Sequence, residues 1–128
     1  MMRIARLLIP AVLVCAFVFS GKAQSAALDR QQLVEHCMSL LRQNQVKEGA
    51  ACLAPFERDT KPDRQTAAAA YQLGQLYESG RGVSADPDHA VRLYKLAAGL
   101  RTVAPEIAQQ AAVAATKLIN RMRQAEEP

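Results

Sequence analysis

The 128-residue chain lacks most of the marks of a catalyst or a metal site. None of its serines, Ser20, Ser25, Ser39, Ser79 and Ser84, has a lysine three positions on. The Ser-x-x-Lys arrangement that activates a serine nucleophile is therefore missing. No histidine stands beside paired carboxylates at a spacing that would support acid–base work. Cysteine is scarce, and Cys15, Cys37 and Cys52 form no Cys-x-x-Cys pair, which counts against a redox-active dithiol. Lysines and arginines do not cluster with interleaved aromatics, so nucleic-acid binding has little support. The longest apolar run, Leu7 to Phe19, contains Pro10 and is short for a membrane span.

That run does fit a secretory signal peptide over residues 1–25. Arg3 and Arg6 form a positive start, and the residues from Ser20 to Ala27 are mostly small. Cleavage after Ala23 or after Ser25 both satisfy the small-x-small rule, and retention as an anchor is the alternative. Val14 occupies the position before Cys15 where lipidation needs a small residue. Export changes the charge balance. The whole chain is net +4, but losing Arg3, Arg6 and Lys22 leaves 13 basic against 12 acidic residues. The basic character is thus partly a feature of targeting. What remains is about 100 residues, enough for one modest core.

The periodicity predicts an all-α chain of five helices. Leu28, Leu33, Val34, Cys37, Leu40 and Leu41 make a stripe on a first helix, Leu28 to Arg42. Val46, Ala50, Leu53 and Phe56 make a second, from Gln45 to Glu57, with Asn44 as a cap in the polar break between them. This first hairpin occupies residues 26–60. The mature chain keeps two cysteines, and an even count in an exported chain favours a disulfide. Cys37 and Cys52 lie nearly equidistant from the break, so an antiparallel hairpin sets them opposite each other. The alternatives are two buried thiols, or zinc on His36, Cys37, Cys52 and His89. Neighbouring His36 and Cys37 point in different directions on a helix, which disfavours the metal. No cofactor is expected.

A polar connector, Arg58 to Arg64, leads into the most informative stretch, within residues 61–104. Ala69, Ala70, Leu73, Leu76 and Tyr77 form one apolar stripe on a helix near Gln65 to Ser79, and Ala90, Leu93, Tyr94, Ala97 and Ala98 form another on Pro87 to Ala98. Gly74 inside the first of these costs helix propensity, which points to a close approach by a neighbour, with small Ala90 opposite. Gly80 ends that helix and Gly82 makes the turn permissive. Val83 returns to the core. Asp86 caps the next helix, and Pro87 takes its first position. A long last helix from Pro105 to Gln124, in the segment 105–128, caps the stack through Ile107, Ala108, Ala111, Ala115, Leu118 and Met122. In its last turns Lys117, Arg121 and Arg123 complement the helix dipole.

The spacing Ala-x3-Leu-Gly-x2-Tyr-x2-Gly-x-Gly-Val-x2-Asp-x3-Ala-x3-Tyr-x2-Ala-Ala, from Ala69 to Ala98, resembles the Sel1-like repeat, a relative of the tetratricopeptide repeat. The resemblance implies a short α/α solenoid of about two hairpins that scaffolds protein assembly without catalysis. It also fits a disulfide-bridged helix pair, which some secreted members of that family carry. On this reading the chain is a protein-interaction module of the bacterial periplasm, envelope or secreted space. Tyr71, Gln75 and Glu78 would project into the groove of the stacked first helices and contact a protein or peptide. Gly74, Tyr77, Gly80, Gly82, Asp86, Ala90 and Tyr94 would hold the hairpin. One clear repeat is present, whereas about three units are normally needed for a stable stack. The disulfide or a second copy of the chain would offset the shortfall. Two other functions stay open. Some cysteine-rich exported relatives are described as binding or hydrolysing β-lactams, and a secreted effector would use the same surface on host proteins.

Overall fold

The computed structural model describes residues 21–128, with side chains from Asp29 onward. The signal peptide expected over residues 1–25 therefore falls almost wholly outside the described residues. Among the described residues five α-helices follow one another: α1 Gly21–Arg42, α2 Val46–Leu53, α3 Arg64–Ser79, α4 Pro87–Ala98 and α5 Pro105–Glu126. A 3-10 turn, Ala54–Arg58, extends α2. Among the described residues there is no strand, and no helix is long and apolar enough to cross a membrane. α1 pairs with α2, α3 pairs with α4, and α4 lies against both α3 and α5. The shared core runs from Val34 and Leu53 through Leu73 and Tyr94 to Ala111 and Leu118.

Most helix ends sit where local chemistry places them. Asp63 caps α3, accepting from Thr66 N–H at 3.0 Å while the Thr66 hydroxyl accepts from Asp63 N–H. Gly80 ends α3 in the left-handed conformation, at φ +73°. Asp86 caps α4 by accepting from His89 N–H. Two boundaries differ from the sequence expectation by several residues. α1 begins by Gly21 rather than Leu28, because Lys22 to Ala27 contains good helix formers and no breaker. The second helix does not stay α-helical to Glu57. Pro55 has no N–H to donate, and the chain tightens into the 3-10 turn. Asn44, the cap expected in the break, serves the end of α1, at φ +63°. Gln45 N–H bonds to Leu40 C=O and Asn44 N–H to Leu41 C=O, closing the helix end.

Cys37 and Cys52 are joined in a disulfide, with Cα atoms 5.5 Å apart. α1 and α2 come this close because of Gly49, where a Cβ would lie 2.5 Å from a Leu41 methyl and 3.3 Å from the Cys37 carbonyl oxygen. The bond commits the two thiols that a zinc site would have used.

A polar cluster ties α1 to the start of α3. Arg30 reaches Asp59 at 2.8 Å and Asp63 at 3.0 Å, and its guanidinium lies 5.2 Å from the Phe56 ring centre. The Thr66 hydroxyl donates to Asp59 at 2.6 Å. Burial pushes both carboxyls up. The hydrogen bonds and charge of Arg30, with further bonds from Thr66, outweigh it and hold both below their ordinary values. The sequence had offered Asp59 and Asp63 only as part of a polar connector.

Two outcomes follow. The Cys37→Ala/Cys52→Ala variant is expected to lose about 3 kcal/mol of unfolding free energy in urea, as opening a loop of this length implies. Reduction of the wild type should match it, and an unchanged midpoint would show that the bond is idle. Because Asp59 and Asp63 titrate lower when folded, their stabilisation is complete above the ordinary carboxylate value, about pH 4. It is lost as pH falls through the depressed folded values. Arg30→Met should cost about 1–2 kcal/mol at pH 7, allowing for part exposure, and should flatten the acid side of the stability curve. Parallel acid limbs in the two proteins would refute the coupling.

Candidate binding groove

Gly74 and Tyr94 set the spacing of the second hairpin. A Cβ on Gly74 would lie 2.6 Å from Tyr94 Cε1, and all the nearest atoms belong to that ring. The closest approach at Gly74 is made by the Tyr94 ring, and Ala90, the residue expected opposite, is itself fully buried. Glycine is kept here because an aromatic edge fills the notch.

The Tyr94 ring is buried, and its hydroxyl needs a partner. It donates to Glu78 Oε2 on α3. The other carboxylate oxygen, Oε1, accepts from Arg121 on α5. Burial, then the hydrogen bond to Glu78 and its negative charge, raise the Tyr94 phenol well above its ordinary value, so it stays protonated. The Tyr71 ring tilts against the same tyrosine, with centroids 5.8 Å apart. One side chain thus links three helices.

The pair Arg121–Glu78 and a looser pair, Arg64–Glu106 at 3.6 Å, bridge α3 and α5 near opposite ends. Starts meet starts and ends meet ends, so the two helices run parallel with α4 antiparallel beside them. Exposed pairs of this kind contribute little energy. Their value here is to show the register. Between the two bridges lies an open groove of about 1020 Å³. Tyr71, Gln75 and Glu78 line its α3 side, and Gln109, Val113 and Lys117 are among the α5 residues opposite.

The structure brings the three sequence-expected groove residues to one surface, in different states. Gln75 is exposed, Tyr71 is half-buried against Tyr94, and the Glu78 carboxylate is engaged by Tyr94 and Arg121. Glu78 therefore shapes the groove rather than offering a free acid. The α5 wall was missed. Lys117 and Arg121 stand four residues apart on one helical face, a signal the sequence contained, but their position in the last turns had been attributed to the helix dipole. Arg123 lies elsewhere, beside Met122 in a smaller hollow.

The remaining hairpin residues make contacts away from the groove. Gly82, at φ +70°, abuts the start of α2, where a Cβ would lie 2.7 Å from Val46. Val83 packs on the core. Tyr77 stacks on His89 with centroids 4.1 Å apart, and His89 meets Glu57 at 3.0 Å. These contacts seat the second hairpin on the first.

Comparison with known families places this geometry. The model of the Sel1 repeat family matches residues 67–100, a little over a quarter of the chain and most of the α3–α4 hairpin. No curated protein and no solved structure matches the chain.

Gly74→Ala tests the notch. Alanine gains about 1 kcal/mol of helix propensity, but overpacking typically costs about 1–3 kcal/mol. Tyr94 is held by its hydrogen bond to Glu78 and by the Tyr71 ring, so moving it breaks contacts and the net change in a urea melt should be destabilising. A variant as stable as wild type would show that the close approach is not needed.

Proposed function

We propose that this chain, which carries a Sel1 repeat at residues 67–100, is a protein-binding adaptor of the bacterial envelope or secreted space that acts without catalysis. Sel1 repeats generally mediate protein–protein interaction, and the family is typically non-catalytic. The observation that carries the reading is the groove. Parallel α3 and α5 are held apart by Tyr94 at their base and bridged near both ends, which leaves Tyr71, Gln75 and Val113 along an open surface. Tyrosine and glutamine make adaptable contacts, and Val113 is 49% exposed on a helix whose Ala108, Ala111, Ala115 and Leu118 are buried. A rigid groove of this kind accepts a partner without paying for its own ordering. The Cys37–Cys52 disulfide is compatible with an oxidising compartment and supports export.

The test is site-specific photocrosslinking in cells making the full tagged chain. A photoreactive residue at exposed Gln75 is expected to give discrete adducts with another protein, identified by mass spectrometry. The same residue at exposed His36 on α1 should not. Equal labelling from both positions, or none from Gln75, would defeat the groove reading.

A further inference from the structure

The charges along the groove are not balanced, and their placement points to the chemistry of the occupant. Two acids line it, and both are engaged: Glu78 by Tyr94 and Arg121, Glu106 by Arg64. Arg81 and Lys117 also line it, both exposed, and neither makes an ion pair among the described residues. These two cations and Arg121 lie toward the C-terminal ends of α3 and α5, while Glu106 lies at the opposite end. The groove is thus positive at one end, apolar near Tyr71 and Val113, and close to neutral at the other.

Its length and its amides narrow the choice further. From Glu106 to Arg121 is 15 residues of helix, about 22 Å at 1.5 Å per residue. That matches about six or seven residues of extended chain at roughly 3.3 Å each. Gln75, Gln109 and Gln110 each carry both a donor and an acceptor along this length. An extended segment has unpaired peptide N–H and C=O groups to offer them, whereas a helix has already paired its own.

We propose that the groove takes an extended, acidic segment of a partner protein, with carboxylates grouped at one end against Arg81 and Lys117 and an apolar side chain following against Tyr71 and Val113. The inference rests on the adaptor reading above and adds the charge and conformation of the ligand. Binding then comes largely from charge pairing at one end and backbone pairing in the middle, so it weakens with salt.

The experiment uses a displayed library of random ten-residue peptides, selected on the purified, disulfide-bonded chain at about 0.05 M and about 0.5 M salt, the second concentration shrinking the Debye length several-fold. Expected on wild type is enrichment of peptides with carboxylates clustered to one side of an apolar residue, recovered roughly tenfold less at high salt. Arg81→Glu/Lys117→Glu, at two exposed positions without ion-pair partners among the described residues, should keep the wild-type circular dichroism and turn the selection toward basic peptides. Enrichment of neutral or basic peptides on wild type, or an unchanged profile on the charge-reversed variant, overturns the acidic-segment proposal while leaving peptide binding in place. No enrichment over blank resin overturns both the proposal and the adaptor reading beneath it.

Discussion

The fit of the Tyr94 ring into the notch at Gly74 is the contact on which the rest of the second hairpin depends. It sets how near α3 and α4 approach, and so the height of the groove floor. Burying the ring requires a partner for its hydroxyl, since an unpaired one costs about 1–3 kcal/mol. Glu78 supplies it and is in turn held by Arg121. A packing constraint between two helices thereby becomes a polar link to a third. Replacing any of the three groups changes the demands on the other two, as expected for a partly buried hydrogen-bonded network.

The lower half of the molecule is secured by different means. A repeat hairpin cannot bury both faces alone, and this chain offers few neighbours. The Cys37–Cys52 disulfide closes the first hairpin, and the cluster of Arg30 with Asp59, Asp63 and Thr66 fastens it to the cap of α3. Tyr77, His89 and Glu57 make a second seam, and Gly82 lets the hairpin turn rest on the start of α2. These links are all short-range and geometrically specific. They hold two unlike hairpins at one angle, which a stripe of alanines and leucines would specify only loosely.

The same links decide what the groove presents. Had Glu78 stood free, the surface would carry an acid opposite Lys117 that competes with any acidic ligand. Because Tyr94 and Arg121 engage it, the basic side chains of Arg81 and Lys117 dominate that end. Structural hydrogen bonding and ligand preference are in this way one arrangement seen from two sides, the core and the solvent.

Much of the fold was legible because it is local. Stripes at three and four residues, Gly80 at a left-handed helix end, Asp86 before Pro87, and cysteines equidistant from a turn all act within a few residues or one hairpin. The sequence by itself determined the helices of the repeat, its turn and the pairing of Cys37 with Cys52. A local rule read incompletely accounts for the misplaced end of the second helix, where Pro55 forbids an α-helical bond. Only the tertiary structure decided which neighbour fills the notch at Gly74, that Arg30 gathers Asp59 and Asp63, and that Glu78 is engaged while Lys117 is open. Each of those depends on side chains about 16 to 43 positions apart meeting across packed helices. Periodicity reports which face of a helix is buried, but the angle and register at which two faces meet emerge only when the whole core closes.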